Sequence, residues 1–341
     1  MIRFDCSRLP ILYEFKSNVI ELCLTYIKDV IKSSSNPKPK GLHQKLKEIE
    51  TDLYDIFCRW NFNALRSTTF DIELFLPTHD FIMMTDIAYY VRRFNIVLED
   101  SIVSFPINEY NTILQKASEY ATPVMPIKNT VTCSEKQLQR VRSIYTGTSF
   151  DTDVQKIISR YMYLGGLNNS LSTPPNVLSL YPSHELFGTP LNTCGNYCSP
   201  FEDEKDVFNS HGSFFTFSNY KEDVIYFANP PFDDVFCTTM TDKLLVDLEK
   251  RLFSLIVIIP VWDTLQQQKY GLTDFKLPFE CYNRLVNSPY FLSEVFLDKK
   301  SYPFYNYFHD KYVMISNTHM INLGKPVDMV ALQHSWSNCK K

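Results

Sequence analysis

The stretch that decides the fold runs from residue 224 to residue 263 and reads VIYFANPPFDDVFCTTMTDKLLVDLEKRLFSLIVIIPVWD. Its first four residues, Val224 to Phe227, form an unbroken apolar run, which is typical of a strand buried on both faces. Apolar residues from Val235 to Leu252 then recur at helical spacing, and Leu255 to Ile259 form a second apolar run that stops at Pro260. Strand, helix and strand in this order predict a βαβ unit with a parallel sheet and a right-handed crossover.

The chain before this unit has a different pattern, in which amphipathic helices follow one another. Apolar side chains recur at helical spacing in Asn18–Lys32, Leu42–Phe57, Phe81–Glu99, Asn108–Tyr120 and Asp153–Tyr163. Ser134 followed by Gln137 is a capping-box signal, which predicts a helix to about Tyr145.

These patterns divide the chain. We predict an α/β protein with a helical domain over residues 1–165, a doubly wound α/β domain over residues 166–330 and a tail over residues 331–341. Residues Tyr312 to Leu323 are expected to supply the closing strands of the sheet.

Composition sets broad limits on partners and compartment. The 341 residues are 45% hydrophobic, and 34 basic against 38 acidic residues give a net charge of -4. This balance argues against tight nonspecific nucleic-acid binding but leaves room for a local basic groove. The chain start has no apolar signal-peptide core, the longest apolar run is too short for a bilayer, and the nine cysteines are scattered. We expect an intracellular protein of the nucleus or cytoplasm, not secreted, with reduced thiols and no membrane partner.

The chemistry is predicted at Asn229-Pro230-Pro231-Phe232, because ligands of open α/β sheets bind beyond the carboxyl ends of strands. An aromatic amine is a poor nucleophile, since its lone pair is delocalised into the ring. The Asn229 side-chain oxygen and the Pro230 carbonyl would engage its two N–H bonds and aim the lone pair at the methyl group of a sulfonium. Pro231 keeps Pro230 extended, and Phe232 offers a face on which a base can stack, worth about 1–3 kcal/mol.

The same four residues are also a common strand-ending turn. Their position between a buried strand and a crossover helix favours the catalytic interpretation. Trp262 follows the next strand and could stack against a base or cap, although a packed core or interface aromatic is an equally good interpretation.

Two further groups of residues have weaker patterns. Cys194 and Cys198 are spaced loosely for zinc even with His184 nearby, so packed thiols are the better interpretation and no metal is predicted. Lys299-Lys300 and Lys311 are candidates for an RNA-facing patch, although loop solvation is the simpler account.

Four motifs in a fixed order carry a resemblance to a known family. They are FGTPLN at Phe187–Asn192, NYCSPF at Asn196–Phe201, FANPPF at Phe227–Phe232 and SLIVIIPVW at Ser254–Trp262. Together they resemble the phosphorylated-CTD-interacting-factor family over roughly residues 155–325. The resemblance implies an S-adenosylmethionine-dependent enzyme that methylates N6 of the cap-adjacent 2′-O-methyladenosine of mRNA. It also implies a Rossmann-like class I methyltransferase domain preceded by a helical domain.

The resemblance also implies residue roles. Asn229 to Phe232 match the catalytic motif, and Phe187, Pro190 and Asn192 lie in the segment that runs past the methyl donor. These three residues are therefore the expected cofactor contacts, with S-adenosylmethionine as the cofactor and capped mRNA as the partner.

Other positions match less closely. Trp262 matches an aromatic residue after the following strand and, with Lys311, is a candidate for substrate binding. An acid that holds the cofactor ribose was expected near Thr216, which is not acidic, so Asp203 or Asp206 is assigned that role instead. No WW module is expected before the catalytic region, and a protein partner is left open.

Two other functions fit the same sequence. One is a methyltransferase for another amine, such as DNA adenine, cytosine N4 or a protein amide, that uses the same Asn-Pro-Pro-Phe motif. The other is a noncatalytic member of the fold that binds RNA or acts as a scaffold, which the non-acidic Thr216 favours.

Overall fold

A computed structural model describes residues 2–5, 9–34, 41–66, 70–71, 76–78, 82, 84–92, 94, 96, 103–119, 130–165, 171–232, 234–261 and 280–340. The helices are α1 (Leu9–Ser33), α2 (Leu42–Arg66), α3 (Met84–Arg92), α4 (Ile107–Glu119), α5 (Glu135–Ile144), α6 (Phe150–Gly165), α7 (Pro175–Leu178), α8 (Asp203–Phe208), α9 (Asp234–Lys250), α10 (Glu280–Val286) and α11 (Met329–Ser337). The strands are β1 (Ile2–Asp5), β2 (Phe70–Asp71), β3 (Leu76–Pro77), β4 (Thr130–Cys133), β5 (Ser183–Glu185), β6 (Asn196–Tyr197), β7 (Ile225–Ala228), β8 (Ser254–Pro260), β9 (Phe291–Leu297), β10 (Phe304–Asn306), β11 (Lys311–Val313) and β12 (Thr318–Gly324).

The first of two compact units consists of Phe4–Val131 and Ile158–Gly166 and is mainly helical. Its helices pack through aromatic residues on their apolar faces: the rings of Phe15 and Phe57 are 6.1 Å apart and those of Phe57 and Tyr163 are 5.6 Å apart. Trp60 is fully buried, and its indole N–H donates to Asp86 over 2.7 Å. Helices α1, α2 and α4 confirm the amphipathic segments predicted at these positions.

The second unit is an α/β unit built on a six-stranded sheet, made of Met1–Arg3, Thr132–Ile157 and Leu167–Lys341. The strand order is β6-β5-β7-β8-β12-β9. Strands β6, β5, β7 and β8 are mutually parallel, whereas β12 runs antiparallel to both of its neighbours, β8 and β9. The predicted α/β class and βαβ unit are confirmed, in a sheet that is mostly parallel.

The order of the strands reverses between β5 and β7. The chain passes from β5 outward to β6 and then returns to the opposite side of β5 to form β7. A crevice forms at such a switch point, because the connections after the two central strands leave in opposite directions. The loop after β5 and the Asn229 segment after β7 both begin at this point.

The sheet is covered on both faces. All four residues of β7 and all seven residues of β8 are buried, so neither strand has a face in water. On one face, Tyr226 and Leu255 pack with Met240 and Leu244 of α9. On the other face, Phe227 and Ile256 pack with a cluster that contains Trp336 of α11.

The division between the units differs from the boundary predicted at residue 165. Residues 132–157, which include α5, group with the α/β unit, because Gln137 and Arg140 of this helix bind the loop after β5. Residues 331–341, predicted as a tail, include most of α11, whose Trp336 is fully buried and donates to the Pro303 carbonyl over 2.6 Å. Within the described residues, no helix combines the length and apolar character that crossing a membrane requires.

Gly324 ends β12 and provides a test of the sheet architecture. It has a φ of +78°, and an added Cβ would overlap the Phe253 backbone oxygen and approach Leu248 Cδ2 to 2.8 Å. The substitution Gly324→Ala therefore combines a left-handed backbone with a backbone clash. We expect it to lower the free energy of unfolding by more than about 2 kcal/mol, measured by denaturant titration.

The matched control is Gly195→Ala. An added Cβ at Gly195 meets only the Ser183 oxygen, at 3.9 Å. An equal loss of stability in both variants would contradict the proposed close approach at Gly324.

Candidate active site

Asn229 occupies the carboxyl end of β7, where its side chain is held by a backbone carbonyl. The amide nitrogen Nδ2 donates to the oxygen of Leu171 over 3.2 Å. A carbonyl oxygen can only accept a hydrogen bond, so this contact determines which end of the amide carries the oxygen. Asn229 is half-buried, and its Oδ1 is thereby directed away from Leu171. The predicted acceptor therefore has a defined orientation.

The rest of the motif differs in exposure from residue to residue. Pro230 is buried, Pro231 is exposed and Phe232 is half-buried. The Phe232 ring packs edge-on against Phe304, with centroids 6.1 Å apart, and contacts the core on that face of the sheet. Part of the Phe232 ring therefore contacts the core. Stacking of a base on the exposed part of the ring stays a prediction.

The loop after β5 begins with an aromatic cluster. The ring of Phe187 lies 4.7 Å from Phe214 and 5.5 Å from Phe236, measured between centroids. Phe187 is half-buried, so part of its surface faces solvent at the switch point. Contact between Phe187 and a cofactor stays a prediction.

Asn192 closes this loop on itself. Its side-chain oxygen accepts from the Thr189 N–H over 2.7 Å, and its own N–H donates to the Thr189 carbonyl over 3.1 Å. Asn192 and Pro190 are both buried. These contacts give Asn192 a part in shaping the loop, and its contact with a cofactor stays a prediction.

Helix α5 supports the same loop from outside. Gln137 Nε2 donates to the Leu191 carbonyl over 2.6 Å, and Arg140 Nη2 donates to the Pro190 carbonyl over 2.6 Å. Arg140 Nε also donates to Gln137 Oε1, over 3.1 Å, which joins the two side chains. The helix begins as predicted, because the Ser134 side chain accepts from the Gln137 N–H over 3.2 Å.

Glu185, the last residue of β5, is a buried carboxylate at the switch point. Its two oxygens accept hydrogen bonds from the Ser172 and Thr193 hydroxyls, each over 2.5 Å. Burial raises the pKa of Glu185, while the two hydroxyl hydrogen bonds and the charge of Arg140 oppose that rise. No pattern in the sequence marks this residue.

The residues assigned to the cofactor ribose lie after β6. Asp203 begins α8 and forms an ion pair with Lys156 over 3.1 Å. A cavity of about 560 Å³ is lined by Glu202, Asp206 and Thr216, among other residues. Thr216 therefore lies close to acidic side chains, although it is not acidic itself.

Of the residues considered for zinc binding, Cys198 and His184 lie close together in the structure. Cys198 Sγ lies 3.4 Å from His184 Nε2, and the His184 ring is 4.7 Å from that of His211. Burial lowers the pKa of His184 to about 3 and raises the pKa of Cys198, so both groups are uncharged near neutral pH. Across the described ranges, no set of three or more potential ligands is arranged to hold a metal ion.

Of the two residues predicted to bind substrate, only Lys311 lies within the described part of the chain. Trp262 lies outside the described residues. Lys311 is exposed at the start of β11, opposite Asn306 of β10. The neighbouring Tyr305 bridges to Ser172, so this hairpin adjoins the segment that binds Asn229. Binding of substrate by Lys311 stays a prediction.

This geometry defines a mixed α/β protein with a candidate ligand site at the switch point of its sheet. Residues 140–306 match the family model described as "Phosphorylated CTD interacting factor 1 WW domain". The predicted resemblance to the phosphorylated-CTD-interacting-factor family is confirmed over this segment. The match includes all four motifs and both strands of the switch point. No curated protein matches the chain.

The support of the β5 loop by α5 can be tested with Gln137→Leu. This change leaves the buried Leu191 carbonyl without its donor and Arg140 Nε without its acceptor. We expect a loss of about 1–3 kcal/mol in the free energy of unfolding, the usual penalty for an unsatisfied buried polar group. Gln139→Leu on the exposed side of α5 is the control, and equal losses in the two variants would argue against the loop contact.

The neutral state of His184 predicts a pH dependence of stability. Its pKa is about 3 in the folded protein against an ordinary value of 6.5, so the unfolded chain binds a proton more readily. Stability therefore falls as the pH is lowered from about 6.5 toward 3. Between pH 7 and pH 5 this group should contribute a loss of about 2 kcal/mol, measured by denaturant unfolding.

The variant His184→Leu should have a shallower pH dependence over the same interval. A variant that loses as much stability as the wild type between pH 7 and pH 5 would show that another group titrates.

Proposed function

We propose that this protein is an S-adenosylmethionine-dependent methyltransferase that acts on N6 of the cap-adjacent 2′-O-methyladenosine of mRNA. The observation that carries the proposal is the Asn229 side chain, held through its nitrogen by Leu171 so that its oxygen is available as an acceptor. The match of residues 140–306 to the phosphorylated-CTD-interacting-factor family supports the same reaction, as does the site's position at the switch point of the sheet.

The sheet also supports a Rossmann-like class I methyltransferase domain. Four neighbouring parallel strands, helices on both faces and a reversal of strand order between β5 and β7 are the features of a doubly wound fold. In this arrangement the ligand crevice lies outside the carboxyl ends of the central strands, where the loop after β5 and the Asn229 segment meet.

The chain's own residues would act by orientation. Asn229 Oδ1 and the Pro230 carbonyl would accept the two N–H bonds of the adenine amine, and Phe232 would support the base. Both acceptors are uncharged, so they would orient the amine without removing a proton before the methyl group is transferred. Pro230 is buried and Asn229 is anchored, so neither acceptor needs to be reordered for the reaction.

The loop after β5 fits a sulfonium cofactor. S-adenosylmethionine supplies an electrophilic methyl group when it is bound. Phe187 presents a half-buried aromatic ring, and such a ring attracts a cation. We propose that Phe187, Pro190 and Asn192 hold the cofactor and that Asp203 or Asp206 binds its ribose; Asp206 lines the cavity that also contains Thr216.

Capped mRNA is the proposed partner. Family members are described as factors that interact with phosphorylated CTD, so a phosphorylated peptide of that kind is a second candidate partner. Binding of phosphorylated and unphosphorylated peptides, compared by fluorescence anisotropy, tests this second partner independently of methyl transfer.

The proposed reaction can be tested with purified protein, labelled methyl donor and capped RNA that begins with 2′-O-methyladenosine. We expect label in N6-methyladenosine, and a loss of activity on the order of a hundredfold or more in Asn229→Ala, because one preorganised polar group is removed. The matched control is Asn287→Ala, an exposed residue whose amide also donates to a backbone carbonyl, over 2.8 Å. This control should retain the wild-type rate.

Each alternative has its own outcome in this assay. Label transferred to DNA adenine, cytosine N4 or a protein amide in preference to capped RNA would replace the proposed substrate. A protein that transfers no label and gains no thermal stability from S-adenosylmethionine would be a noncatalytic member of the fold.

A further inference from the structure

We propose that Glu185 is a positioning residue, which fixes the orientation of Asn229 through Ser172 and Leu171. The catalytic meaning of this inference rests on the proposed methyl transfer. The hydrogen bonds from Glu185 to Asn229 all lie within the α/β unit, so the positioning of Asn229 can be tested separately from methyl transfer.

The first link joins Glu185 to Ser172. Glu185 is 5% exposed and Ser172 is 2% exposed, and the Ser172 hydroxyl donates to Glu185 Oε1 over 2.5 Å. The other oxygen of the same carboxylate accepts from Thr193, at the end of the loop after β5. One buried carboxylate therefore joins the loop after β5 to the Leu171–Ser172 segment that binds Asn229.

The second link is the peptide between Leu171 and Ser172. The Ser172 N–H donates to the Tyr305 carbonyl over 3.0 Å, and the Tyr305 N–H donates to the Ser172 carbonyl over 2.9 Å. The Leu171 carbonyl belongs to the same planar peptide as the Ser172 N–H, and these two groups point in opposite directions. With the N–H directed at Tyr305, the carbonyl is directed the other way, to Asn229.

The third link is the contact between Leu171 and Asn229. The Leu171 oxygen accepts from Asn229 Nδ2 over 3.2 Å, which leaves Asn229 Oδ1 on the opposite side of its amide. Loss of the Ser172 hydroxyl contact would free one side of this peptide. The Asn229 amide would then sample other orientations, in which its oxygen no longer meets the amine.

The residue beside Ser172 provides a matched control. Thr173 is 1% exposed, and its Oγ1 has no hydrogen-bond partner among the described residues. Thr173→Val therefore removes a buried hydroxyl from the same segment without breaking a link to Asn229. Ser172→Ala removes the hydroxyl that carries the link, and Glu185→Gln replaces one of its acceptors with a donor.

The kinetic experiment measures kcat and the KM for the methyl donor in the full chain. We expect Ser172→Ala and Glu185→Gln to lower kcat on the order of 10- to 100-fold, because the misplaced group is the amine acceptor. Ser172→Ala leaves the contact between Glu185 and Thr193 in place, so it should change that KM little. Thr173→Val should stay within about twofold of the wild type. When Asn229→Ala is already present, Ser172→Ala should cause no further loss, since both changes act through one residue.

A second readout does not depend on activity. The side-chain amide signal of Asn229 in a ¹⁵N–¹H spectrum is assigned by its loss in Asn229→Ala. We expect this signal to shift and its proton exchange to accelerate in Ser172→Ala and Glu185→Gln, but not in Thr173→Val. Thermal unfolding shows whether each variant is folded, and a variant that fails to fold is replaced by Ser172→Cys or Glu185→Asp.

The outcomes separate this inference from the proposed function. If the wild type transfers no methyl group, the proposed function fails and the amide signal still decides whether Glu185 positions Asn229. An unshifted Asn229 signal in the folded variants overturns the inference. Wild-type kcat in those variants, or an equally large loss in the Asn229→Ala background, also overturns it.

Discussion

Strands β7 and β8 have no solvent-facing side, and this constraint governs the α/β unit. Because both faces are covered, each strand must be apolar throughout, and backbone groups must pair along the sheet. In these two strands the polar residues lie at the ends: Ser254 begins β8, and Asn229 directly follows β7. Asn229 and Glu185 take these positions at the carboxyl ends of β7 and β5, which the reversal of strand order places side by side.

Backbone carbonyls orient several of the side chains at the carboxyl ends of these strands. Leu171 engages Asn229, while Pro190 and Leu191 engage Arg140 and Gln137. A carbonyl has a fixed direction within its peptide, so it can orient an amide or a guanidinium without being charged itself. The candidate site is thus built by hydrogen bonds between segments that are distant in sequence, and few ionised groups are needed.

The buried titratable groups fit this description. His184 and Cys198 are uncharged near neutral pH because burial disfavours their charged forms. The His184 ring packs against Phe217 and Tyr226, and Cys198 lies beside it. Burial raises the pKa of Glu185 as well, and the hydroxyl partners on both of its oxygens oppose that rise. A buried carboxyl group whose two oxygens both accept hydrogen bonds destabilises the folded state less than one without partners. Such a group can also join two segments of the chain.

The sequence by itself determined the strand–helix–strand unit around Asn229, most of the helices before residue 165 and the family, because these depend on local periodicity and on motifs in a fixed order. Short elements such as β5, β6 and α8 have too few residues for a detectable period. The hydrogen bonds of Leu171, Ser172, Glu185 and Arg140 were decided only by the tertiary structure. Each acts through a partner between 8 and 58 residues away, and such pairings arise from the packing of the sheet and leave no local pattern in the sequence.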